Sequence, residues 1–309
     1  MEETKDINNK LEVVKEKATE IQIQIGDLLS MIKTEKQQTE NLQTETSQEE
    51  TAPVTNNVVV SNTVFVSNET IRRLLKDIKQ IRKCPLTEHG IHYIHDDEDM
   101  LKGYALIIGQ EGTPYFGGYY FFEIHFPQDY PYNPPKAIYL TNAHNIRFNP
   151  NLYENGKVCI SILNTWRGEK WTSCQTISSV LLSISTVLCS NPLLNEPGVD
   201  INHSEVETYN HIIEFANIRV AIYQMLMKEE AVYTPKKDVF DRFMPVMKEK
   251  FLLNREKLLK IVAEKCLEFP RVKKMGLKSY YRTRVEIAYK SLKKQLEGID
   301  ENYLKDADK

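Results

Sequence analysis

Between residues 91 and 141 the chain carries four short runs in which side chains follow a period of two: IHYIH at 91–95, LKGYALII at 101–108, GYYFFEIHF at 118–126 and AIYLT at 137–141. Such a period puts successive side chains on opposite faces, which suits a strand and not a helix. Each run is bounded by Gly, Pro, Asn or Asp, and the connection GQEGTPYFGG holds the glycines and proline of a tight turn. Short links join antiparallel neighbours, so the predicted topology is a four-stranded meander.

Helical patterns flank these runs. NETIRRLLKDIKQIRK offers Asn68 as a cap and Ile71, Leu74, Leu75, Ile78 and Ile81 as one apolar face, and the helix should stop before Pro85. After a strand-poor stretch at 142–174, TISSVLLSISTVLC at 176–189 reads as a mostly buried helix. A second helix is predicted over 204–229, with Ser204 and Glu207 as its capping box. Two further helices, about 238–267 and 277–297, are separated by FPRVKKMG. The order implies an α+β domain with an all-helical extension.

The first 66 residues differ. Ile7, Leu11, Val14, Ala18, Ile21, Ile25, Leu28 and Ile32 alternate steps of four and three, a heptad seam that either serves self-association or a partner helix through residues 7–32 or marks a single amphipathic helix. From 34 onward TEKQQTENLQTETSQEE has too few large apolar side chains to offset the entropy of ordering, so a disordered polar linker is expected over 34–66. The domains predicted are thus a helix at 1–33, this linker, a core at 67–230 and a basic helical extension at 231–309.

Charge is unevenly spread. Residues 1–66 hold 6 basic and 12 acidic side chains, whereas 231–309 hold 20 and 12. The basic run RVKKMGLKSYYRTR could meet phosphates, with Tyr280 and Tyr281 stacking on bases. It lacks any nucleic-acid motif, so the reading taken is a set of solvated helical faces packed on the core or on an acidic protein. No run approaches the roughly 18 apolar residues of a membrane span, and MEETKDINNK has no signal-peptide character. Five widely spaced cysteines without a CxxC pair argue against disulfides or zinc, and for reduced thiols in the cytoplasm or nucleus. His89, His92 and His95 are read as structural, and Cys174, Cys189 and Cys266 as small residues in or near packed helices. No metal or cofactor is expected.

A long irregular segment inside a compact domain is usually functional, which draws attention to RFNPNLYENGKVCISILNTW. Its one cysteine, Cys159, could be a nucleophile, but no adjacent His supplies a base.

FPQDYPYNPPKAIYLT, PYFGGYYFFEIHFP, NPN…NGKVCISIL and TISSVLLSI, in that order and spacing, closely resemble the ubiquitin-conjugating enzyme family over residues 68–230, and most of all its long Z-type members. The resemblance implies the UBC fold, with an acceptor thiol at Cys159 that takes ubiquitin or a ubiquitin-like protein from an activating enzyme as a thioester. The modifier then passes to a protein substrate lysine, with a ubiquitin ligase as a further partner. Cys159 is expected to be an exposed carrier thiol.

Asn151, eight residues earlier, maps to the motif asparagine as oxyanion donor or loop support, with Asn149, Pro150, Asn155 and Gly156 shaping the loop. Asn149 stands where most relatives have His; an amide can donate and accept much as neutral imidazole does. Ser161 replaces the usual acid two places after the cysteine. Glu196, in a loop one residue longer than usual, is the candidate for positioning the lysine, against the alternative of a solvated loop carboxylate. The activating-enzyme and ligase surfaces map to Arg72, Arg73, Lys76, Tyr132, Trp171 and Ser173, although RGEK lengthens the loop before Trp171. The alternative function is a non-catalytic ubiquitin-binding scaffold of the same fold.

Overall fold

A computed structural model describes residues 66–142, 146–281, 283–300 and 304. The heptad seam and all of the polar linker but residue 66 lie outside the described residues.

Helix α1 (Asn68–Lys83) forms where predicted, but its cap is Ser67, whose hydroxyl accepts from Thr70 N at 3.1 Å. Strands β1 (Ile91–His95), β2 (Lys102–Ile108), β3 (Tyr119–His125) and β4 (Lys136–Tyr139) make the expected antiparallel meander in the order β1-β2-β3-β4. Helix α2 (Ile177–Thr186) starts on a capping box between Thr176 and Ser179. Helix α3 (Val206–Ala216) continues as a π-helical stretch, Asn217–Gln224.

The register of the sheet sorts its side chains. Ala105 pairs with Phe122 and Ile107 with Tyr120, on the face where Tyr120 meets Tyr115 and Phe148 edge-on at 5.4 and 5.9 Å between ring centroids. Leu106 pairs with Phe121 and Ile108 with Tyr119, on the opposite face. There lies the extension. After the single-turn α4 (Glu230–Tyr233), the long α5 (Lys237–Glu268) sets Phe240 and Phe243 against Phe121, at 4.6 and 5.7 Å, and the Tyr119 hydroxyl donates to Met247 O at 2.7 Å. Both faces of β3 are therefore buried, and the described residues form one compact unit with a continuous apolar cluster.

The π-helical stretch is fixed by Asn217. Its side chain accepts from the Tyr120 hydroxyl at 2.7 Å and donates to Phe116 O at 2.9 Å. A Cβ on Gly118 would lie 1.8 Å from Asn217 Oδ1, so only glycine admits this contact.

Three further expectations are corrected. The box of Ser204 and Glu207 does not form: α3 begins at Val206 without a side-chain cap. The extension is not helical throughout, because β5 (Lys273–Gly276) and β6 (Arg284–Ile287) form a hairpin, and of the helix predicted over 277–297 the part that forms is α6 (Tyr289–Glu297). Cys174 is exposed rather than packed, while Cys189 and Cys266 are half-buried. His95 has a local structural task, donating through Nε2 to Met100 O at 3.0 Å and accepting from the Tyr93 hydroxyl at 2.8 Å.

Candidate active site

The irregular segment hangs on the edge strand. Tyr139 N donates to Gly156 O at 2.7 Å, and isolated bridges tie Ile138 to Lys157 and Leu152 to Val158. Gly156 has φ +85°, and an added Cβ would meet Ile138 Cγ2 at 2.9 Å, so both conformation and space call for glycine. The Asn155 side chain accepts from Lys157 N at 3.1 Å, closing the turn before the cysteine.

Asn149 is fully buried and uses both ends of its amide. Nδ2 donates to Val187 O at 2.7 Å and to the Tyr115 hydroxyl at 3.0 Å; Oδ1 accepts from Asn151 N at 2.9 Å. Asn151 is thereby aimed at Cys159: its Nδ2 donates to Cys159 O at 2.5 Å, and its own carbonyl accepts from Cys159 N at 2.9 Å. Asn151 supports the loop directly in this geometry. Its buried Oδ1 has no hydrogen-bond partner.

Cys159 is only 2% exposed, which corrects the expectation of an exposed thiol. The chain is tied on both sides of it, since the Thr165 hydroxyl donates to Val158 O at 2.8 Å and accepts from Ile160 N at 3.0 Å. The lengthened loop lies against the next turn, where a Cβ on Gly168 would come 3.1 Å from Ser161 Cβ.

Glu196 is half-buried and accepts a hydrogen bond from the Tyr281 hydroxyl, so the solvated-loop alternative is corrected. Burial, reinforced by the Glu196 charge, pushes the Tyr281 phenol well above its ordinary value and keeps it a donor. Tyr280 and Tyr281 pack on the core instead of presenting faces to bases, with centroids 5.5 Å from His203 and 6.2 Å from Tyr209 respectively.

Of the surface candidates, Arg72, Lys76 and Ser173 are exposed, and Tyr132 is 63% exposed with its hydroxyl donating to Glu69 at 2.7 Å. Arg73 and Trp171 are corrected. Arg73 is spent inside the fold on Asp77 at 3.0 Å and on the carbonyls of Ser173 and Gln175. Trp171 is buried, donating through Nε1 to Pro131 O at 2.7 Å, because an indole N–H beneath a loop must find an acceptor. Among the described residues no group of three or more His, Cys, Asp or Glu side chains is placed to hold a metal.

Residues 73–231 match the sequence profile of the ubiquitin-conjugating enzyme family, more than half of the chain. The chain belongs to that family. Ubiquitin-conjugating enzyme E2 Z of Xenopus tropicalis is 45% identical over 163 residues, 52% of this chain and 51% of that protein. The human E2 Z is 43% identical over 161 residues, 51% and 45% of the two chains. The expected likeness to Z-type conjugating enzymes is borne out. The human dual E2 ubiquitin-conjugating enzyme/E3 ubiquitin-protein ligase BIRC6 is 40% identical over 171 residues, 52% of this chain but 4% of that protein. The chain spans about half the length of the E2 Z relatives it matches.

The sequence reading missed Arg147, Thr165 and Asn195. Arg147 donates to Pro150 O at 2.5 Å, and Asn195 to Val187 O at 3.1 Å beside Asn149. Arg147 sits inside the RFNPN run and could have been picked out there as a charge next to the motif.

Proposed function

We propose that this protein is a conjugating enzyme that accepts ubiquitin or a ubiquitin-like protein from an activating enzyme as a thioester on Cys159, and passes it to a substrate lysine or to a ligase. The observation that carries the reading is the pair of hydrogen bonds between Asn151 and Cys159, inside a segment that matches the family.

The chemistry asks little of acid or base at the first step. The Cys159 thiolate attacks the modifier's carbonyl on the activating enzyme, one C–S bond forms and another breaks, and thiol-for-thiol exchange is nearly balanced. In the second step a lysine amine attacks the Cys159 thioester. The C–N bond forms, the C–S bond breaks, the amine proton leaves to a carboxylate or to water, and the thiolate departs. Negative charge on the tetrahedral oxygen needs a donor. Asn151 Nδ2 stands next to the reacting sulfur's own backbone and can serve, once it exchanges the Cys159 carbonyl for that oxygen.

Arg72, Lys76, Tyr132 and Ser173 remain the surface offered to the activating enzyme or a ligase. The five free thiols suit the cytoplasm or nucleus, which forms part of the same proposal.

Incubation with an activating enzyme, ATP and modifier, resolved without reductant, tests it. A thiol-labile adduct should form, vanish in Cys159→Ala and become a thiol-stable ester in Cys159→Ser. Saturable ubiquitin binding with no adduct from any activating enzyme and modifier pair would establish the scaffold instead.

A further inference from the structure

Residues 277–281 of the extension touch two carboxylates of the core, Glu205 and Glu196. The backbone N–H groups of Lys278 and Ser279 donate to the Glu205 carboxylate, at 2.5 and 3.3 Å, immediately before α3. Tyr281 follows with φ +56°, a left-handed conformation that a bulky residue keeps only where its surroundings fix it. Its hydroxyl donates to Glu196.

The ring of Tyr281 has a second task. It lies over the Arg147 guanidinium at 4.5 Å, with Tyr153 against the same group at 3.7 Å. Arg147 donates to Asn149 O at 3.4 Å and to Pro150 O at 2.5 Å, and those carbonyls immediately precede Asn151. One aromatic side chain from outside the matched region 73–231 thus touches the Glu196 carboxylate and the arginine that holds the asparagine motif.

The geometry points to Tyr281 as a positioning residue for transfer to lysine, by which the C-terminal extension fixes Glu196 toward the incoming amine and steadies the loop bearing Asn151. An ionised carboxylate has about four acceptor positions, so a phenol on one oxygen leaves the other free for a lysine ammonium. The fixed carboxylate holds the lysine while it gives up a proton to that carboxylate or to water; the neutral amine nitrogen then bonds to the thioester carbon, its second proton leaves the same way, and the C–S bond breaks to release the Cys159 thiolate. A loop carboxylate without such a partner would have to be ordered anew for every acceptor. This inference rests on the carrier reading of Cys159.

The test is single-turnover discharge of the full-length thioester to free lysine after charging has been stopped. Tyr281→Phe keeps the ring over Arg147 and removes only the hydroxyl. It should slow discharge at low lysine by about three- to tenfold, the effect of one charge-assisted hydrogen bond, through a raised KM for lysine with little change in kcat. In a Glu196→Ala background the same substitution should do nothing further, because the two groups act as a pair. Tyr281→Ala, which also uncovers Arg147, should lower kcat as well. Normal discharge by Tyr281→Phe, or an equal loss with and without Glu196, overturns the inference while leaving the thioester itself intact. Absence of any thioester on the wild-type chain removes the carrier reading and this inference with it.

Discussion

Asn149 shows how much one buried amide can decide. It donates to Val187 O and the Tyr115 hydroxyl while accepting from Asn151 N, and Asn195 Nδ2 adds a contact to the same Oδ1 at 3.3 Å. Asn149→Ala leaves Asn151 N without its acceptor in a dry site and should destabilise the protein by about 2–3 kcal/mol. Asn149→Asp keeps that acceptor but buries a charge and turns a second oxygen toward the Val187 carbonyl, so it should cost more than alanine. Urea unfolding of the two variants decides it: an aspartate variant more stable than the alanine variant would mean that Nδ2 does not face Val187. The two-ended chemistry of this residue could be read from the sequence, since it belongs to the amide itself. The burial of Cys159 could not, because exposure is set by how the chain on either side of it is tied down, and the Thr165 bonds to Val158 and Ile160 that do so follow no spacing rule.

At the scale of elements, β3 is the strand on which the molecule turns. Tyr119, Tyr120, Phe121 and Phe122 run as four consecutive aromatics, and a strand with one wet face does not spend aromatic side chains on that face. The pattern marked the strand correctly while its lack of polar alternation, which announces a cover on both sides, went unread. That cover is α5. Phe121→Ala should cost about 3–5 kcal/mol, and Phe240→Ala a similar amount. Because their rings sit 4.6 Å apart, the double variant should cost less than the sum of the singles; denaturant curves of all four proteins measure the coupling, and strict additivity would place α5 off this face. The β5–β6 hairpin escaped for the opposite reason. KKMG and RVEI are four residues each, too short for a period to emerge, and they pair with one another instead of joining the main sheet.

For the whole molecule the question is what holds the basic extension to the core, and Glu123 in β3 gives a pH-dependent part of the answer. The carboxylate is buried on the face that meets the extension, 3.3 Å from Lys236 Nζ, 2.5 Å from His125 Nε2 and 3.6 Å from Lys102 Nζ. Burial by itself favours the protonated acid, but Lys236, His125 and Lys102 outweigh it and hold the carboxyl below its ordinary value of 4.5. A carboxyl whose folded value is depressed gives stability that is fully present above the unfolded value and is lost as pH falls through the folded one. Glu123→Gln should therefore be less stable than wild type at pH 7, and the gap should close as the pH drops below about 4.5, where the wild-type carboxylate also takes up its proton. Urea midpoints for both proteins across pH 7 to 3.5 measure the gap directly. A constant gap would mean that shape and not charge holds Glu123 in place. Convergence would show that part of the attachment between extension and core is electrostatic, in a molecule whose aromatic contacts on the same face do not titrate in that range.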